Sequence, residues 1–230
     1  MLRYTVRMYL REIFNHSTYL MVFGILLIAQ YFAITQYKGD MAFVELLQFI
    51  VIPVYLFLIL VAFFTGDKVL TFELVLFRDW FTVALSRLIS LMVSLIPFIT
   101  TTALIAHLHN ADNLICPTIA STLFYSTLVL LSTLMGGSGR LYVLSMGVLF
   151  VLPFSSIALI QTQAELGTPA HGVSAYLSYL LSPVYGTFSA HSGSLIINLH
   201  AANTLTFGLS LVWILIYLGT FGRRNVQPSG

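Results

Sequence analysis

Few residues in this chain are of types that perform chemistry, and their spacing decides what that chemistry is. Gly136-Gly137-Ser138-Gly139 has the G-x-S-G spacing that can present a nucleophilic serine inside a membrane. Such a serine needs a histidine within about 3 Å to take its proton. The nearest candidate, His200, is expected on the opposite membrane face, so the glycine run reads as a tight turn. His107, His109, Asp112 and Cys116 are all metal-ligand types, and His171, His191 and His200 are expected on the same side as these four. The H-x-H spacing does not place two rings on one helix face, and no further pair completes a closed site. No resident metal is expected, and the four clustered residues stand as its only candidates. Neither lysine, Lys38 or Lys68, follows a glycine-rich phosphate loop. The chain is therefore expected to have no ATPase site, no enzymatic activity and no cofactor of its own.

These residues must be positioned by elements of an unusual composition. The 230 residues are 58% hydrophobic and 8% charged, against about 25% charged in an ordinary soluble domain. Such a chain cannot cover a water-facing surface, which excludes a soluble enzyme and a disordered chain. A net charge of +2 without a basic cluster gives nucleic acid nothing to bind. The one cysteine forms no disulfide framework. An all-α polytopic membrane protein remains.

Six stretches approach the roughly 20 apolar residues a crossing needs. They run from Thr18 to Gln36, Phe43 to Phe64, Leu88 to Leu108, Pro117 to Leu134, Leu141 to Gln161 and Thr204 to Phe221. Pro53, Pro97 and Pro153 sit centrally in three of them and should bend them. The polar residues inside, among them Gln30, Gln48, Thr100, Thr101, Thr102, Ser121, Ser126, Ser132, Ser155 and Ser156, suit helix–helix contacts. No ion or proton relay is visible among them. Nine of the ten Lys and Arg residues fall on one side of this scheme, and only Lys38 on the other. The basic side is expected to be cytoplasmic, with both termini there, in a cell membrane. The first apolar stretch is too long for a cleavable signal and lacks a cleavage site.

The whole chain, residues 1–230, reads as one transmembrane domain with three appended pieces. Residues 1–15 form an amphipathic interfacial helix. Leu2, Val6, Tyr9, Leu10 and Ile13 share one face, and Arg3, Arg7 and Arg11 form a stripe suited to lipid phosphates. Residues 65–87 hold Asp67, Lys68, Glu73, Arg78, Asp79 and Arg87, a third of all the charges, and read as a cytoplasmic docking surface. Residues 162–203 form the longest outer segment, with one charge, Glu165. Its middle, from Ala175 to Phe188, is too short to cross and too apolar for water. It is expected to re-enter the membrane as a hairpin broken at Pro183 and Gly186, with Tyr176, Tyr179 and Tyr185 at headgroup level.

This layout resembles the permease subunits of ABC-2 type ABC transporters. Phe72-Glu73-Leu74-Val75-Leu76 is similar to the family's Glu-plus-leucine segment, and Arg87 to the basic residue opening its third span. Ser182-Pro183-Val184-Tyr185 resembles its proline before span six. Phe77-Arg78-Asp79-Trp80 departs from the family's proline turn. The resemblance implies a second permease subunit, in a homo- or heterodimer, and a separate nucleotide-binding ATPase that holds ATP and Mg. It also implies that Arg3, Arg7, Arg11, Glu73, Arg78, Asp79 and Arg87 meet that ATPase. The alternative is a non-transporting accessory subunit of a membrane complex, for example a respiratory one.

Overall fold

A computed structural model describes residues 2–14, 17–36, 40–63, 80–132, 143–165 and 169–221. Six of its helices are long and apolar enough to cross a membrane. Lipid supplies no hydrogen bonds, so such sequences satisfy their backbone internally as helices. Span 1 is Ser17–Thr35, span 2 Met41–Leu60, span 3 Trp80–Leu108, span 4 Asp112–Ser132, span 5 Val143–Thr162 and span 6 Leu199–Phe221. The protein is an all-α, multi-pass membrane protein. Among the described residues the only strand-like pairing is one bridge between Ala170 and Leu195.

Span 3 departs most from the sequence-based bounds. It begins at Trp80, not Leu88, so eight residues assigned to the connecting segment are helical. Arg87 inside a run makes it look interrupted to a hydropathy window, although nothing in Trp80–Arg87 breaks a helix. Glu73, Arg78 and Asp79, with the rest of 64–79, lie outside the described residues. A helix of 29 residues is about 43 Å long, while the hydrocarbon core is about 30 Å. Span 3 is therefore roughly two turns longer than an upright crossing needs.

The amphipathic helix Leu2–Phe14 packs on span 3. Its buried stripe is Thr5, Tyr9 and Ile13, while Leu2, Val6 and Leu10 are only half-buried. The deepest face is rotated from the expected one because the helix packs on span 3. Arg87, only 4% exposed, donates from Nε to the Tyr9 hydroxyl at 3.3 Å. Its guanidinium is thus held inside the chain, where it ties span 3 to the amphipathic helix. Tyr9→Phe removes an acceptor from this buried cation and is expected to cost about 1–3 kcal/mol. Limited proteolysis checks it: the amphipathic helix should be clipped faster than in the wild type.

Spans 2 and 4 form the centre of the bundle. About 67% of each is buried, against 22% for spans 1 and 6. The hydroxyl of Tyr19 lies 2.9 Å from that of Tyr55, which donates to the Ser94 carbonyl in span 3. Tyr55 also stacks on Phe98 at 4.5 Å. One polar chain thereby joins spans 1, 2 and 3 beside Pro97.

The three prolines act differently. Pro53 and Pro153 each follow a widened, π-helical turn, Leu47–Val51 and Gly147–Val151. A proline offers no N–H to the carbonyl four residues back and its ring crowds that carbonyl, so a wider turn relieves the conflict. Pro97 lies within continuous α-helix. The two widened helices pack together, with Phe49 and Phe154 stacked at 5.0 Å.

Candidate functional site

The segment between spans 5 and 6 builds the most polar interior of the protein. Helix Gly172–Leu181 enters, Ser182 breaks it, and helix Pro183–His191 returns. Pro183 occupies the first helical position, where its missing N–H costs nothing. Ten residues of helix reach about 15 Å, half of a hydrocarbon core. The base is closed where the Ile196 N–H donates to the Ala170 carbonyl at 2.8 Å and the Ala170 N–H to the Ser194 carbonyl at 3.2 Å.

Two helix ends buried among the spans leave carbonyls and N–H groups without helical partners. Side chains from neighbouring spans supply them. Tyr125 of span 4 donates to the Leu181 carbonyl. Ser156 of span 5 donates to the Ser178 carbonyl at 2.9 Å and also bonds the Ser182 hydroxyl. On the returning helix the Val184 N–H donates to Gln48 Oε1 of span 2 at 3.1 Å, and Gln48 Nε2 donates to Ser121 Oγ of span 4 at 3.2 Å. Gln48 stands on the widened turn before Pro53, so that irregularity aims the amide at the hairpin.

The hairpin corrects one expectation. Pro183 starts the returning helix as foreseen, but Gly186 lies inside it and breaks nothing. A Cβ at Gly186 would stand 2.8 Å from Tyr179 Cδ2 and 3.2 Å from Tyr179 Cα. Glycine is needed there because the two helices touch backbone to ring. The three tyrosines of the hairpin differ in burial. Tyr176 is half-buried, but Tyr179 and Tyr185 are buried in the protein. Tyr179 donates to Asn203 Oδ1 of span 6 at 2.7 Å. The Tyr185 ring lies 5.9 Å from that of Phe49 in span 2. Spans 2, 4, 5 and 6 all grip the hairpin through polar groups.

Beside its base is a cleft of about 290 Å³ lined by Asn113, Leu114, Phe188, His191 and Ser192. His191 Nδ1 lies 2.7 Å from the Thr187 carbonyl, so Nδ1 carries the proton and Nε2 is the ring's acceptor. Of the candidate metal ligands, His107 and Asp112 pair at 2.9 Å, both well exposed. His109 instead meets the Tyr31 ring at 6.0 Å. Among the described residues no three His, Cys, Asp or Glu side chains come together as a metal site. The glycine run at 136–139 lies outside the described residues. Arg3, Arg7 and Arg11 share the exposed face of the amphipathic helix.

Sequence reasoning placed the hairpin but missed the groups that hold it. Gln48, Ser121 and Ser156 were read as packing residues. The available signal was an amide five residues ahead of a mid-span proline. No family model, curated protein or solved structure matches the chain.

Proposed function

We propose that this chain is the permease subunit of an ATP-driven transporter of the ABC-2 type, working with a separate ATPase. The observation that carries the reading is the order of elements. An amphipathic helix precedes six spans, and a half-depth hairpin is held between spans 5 and 6. The basic side faces the cytoplasm of a cell membrane, and the ATPase pair docks there on the segment containing Glu73, Arg78 and Asp79. ATP-driven closure pushes on that segment and on the Trp80 end of span 3. That end passes the push to the spans because it is one unbroken helix with the rest of span 3. Two permease subunits then rock apart and open a path between them. The spans offer cargo mostly hydroxyls and aromatic faces, which suits an amphipathic molecule over a bare ion.

Co-purification from native membranes tests the reading. A nucleotide-binding ATPase should accompany the chain, and the complex should hydrolyse ATP faster with its cargo present. Recovery with redox subunits alone would sink it. Replacing Glu73 and Arg78 together by alanine should weaken ATPase association about thirtyfold, if each docking contact is worth roughly 1 kcal/mol. The helical content of the chain should stay unchanged.

A further inference from the structure

We infer that the amphipathic helix Leu2–Phe14 carries a built binding surface for anionic phospholipid, with Arg3, Arg7 and Arg11 on the headgroup phosphates. The inference goes beyond the permease reading and stands without it. The three arginines recur every fourth residue, so their stems lie about 6 Å apart along one face. All three are exposed. The stripe Thr5, Tyr9 and Ile13, buried on span 3, lies about 160° round the helix from them. Between the two stripes, on one flank, run Leu2, Val6 and Leu10, each half-exposed and none packed against the core, while Met8 on the other flank packs against it.

Each of the three faces has a different natural neighbour. The buried stripe meets protein. The half-exposed leucine–valine edge needs an apolar medium, and the arginine stripe needs anions in water or at its boundary. A docked water-soluble partner would satisfy the arginines and leave the apolar edge unexplained. The rim of a lipid leaflet satisfies both at once, with acyl chains under the edge and phosphates at the guanidiniums. Position along span 3 agrees. The Arg87–Tyr9 hydrogen bond lies eight residues into span 3, about 11 Å from the start of a helix about 43 Å long, so the amphipathic helix packs near one end of that span. Arginine suits this ligand because its fork meets phosphate with two hydrogen bonds.

The full chain reconstituted in phosphatidylcholine bilayers, with spin-labelled phosphatidylglycerol or spin-labelled phosphatidylcholine as probe, tests this. The fraction of each probe immobilised by the protein gives its relative association. Wild type should hold phosphatidylglycerol in preference, on the order of fivefold per arginine, with the preference fading at high salt. Arg3→Gln, Arg7→Gln and Arg11→Gln together should abolish it, while the three lysine replacements should keep most of it. Equal association of the two probes with wild type would overturn the inference. So would a glutamine triple variant with unchanged preference, including one that had instead lost a co-purifying ATPase, which would make the stripe a protein contact. Failure to recover an ATPase from wild type bears only on the permease reading. Should the triple variant not fold, the wild-type headgroup comparison and the single Arg7→Gln variant decide.

Discussion

Gly186→Ala loosens the hairpin and lowers the stability of the purified protein by about 1–3 kcal/mol, the ordinary cost of adding a methyl to a filled interior. The reason is local and rigid. The new Cβ would stand 2.8 Å from a ring carbon of Tyr179 and 3.2 Å from its Cα. The ring cannot swing away freely, because its hydroxyl is bonded to Asn203 of span 6. The backbone atom can move only if the two helices part. Gly208→Ala is the control, since a Cβ there meets nothing within 4 Å. It should be neutral or slightly stabilising, alanine being the better helix former. Thermal unfolding of the two variants side by side decides. Equal midpoints would mean that the hairpin helices are not in close contact.

Gln48→Leu has the second large effect, and its mechanism is electrostatic instead of steric. Leucine nearly matches the volume but removes both ends of the amide. The Val184 N–H then has no side-chain acceptor at a buried helix start, and Ser121 loses its donor. Stranding a buried donor costs about 1–3 kcal/mol. Ser121→Ala removes one arm of the same bridge. The two substitutions together should therefore cost less than their sum, by about 0.5–3 kcal/mol. A double-mutant cycle on thermal stability measures this coupling. Additive penalties would show that the bridge does not act as a unit.

The gross architecture was legible in the sequence because lipid enforces simple rules. Continuous apolar runs of span length have one structural solution, and residues 175–188, too short to cross and too apolar for water, form two short helices packed among the spans. The local corrections arise where protein, not lipid, surrounds a residue. Span 3 extends back to Trp80 because helix formation tolerates Arg87 when Tyr9 receives it. Gly186 looked like a break because glycine often is one, and its value as a missing side chain appears only when Tyr179 is seen across from it. Gln48 and Gln30 look alike as lone amides in apolar runs. Gln48 joins the hairpin to span 4, whereas Gln30 is fully buried with no hydrogen-bond partner for either amide atom among the described residues. Pairing across distant segments decides such cases, and spacing along one segment does not contain it.

The capping of the hairpin also constrains how the protein is made. Its inner helix ends meet lipid bare until Gln48, Tyr125 and Ser156 reach them. Those three residues belong to spans 2, 4 and 5, all of which are synthesised before the hairpin. Asn203 arrives later, with span 6. The chain order thus delivers each acceptor and donor before the group that needs it, and keeps one bond back for the end. During biogenesis the hairpin can seat as soon as it emerges against a cradle that is already inserted, and span 6 then closes over it as a latch.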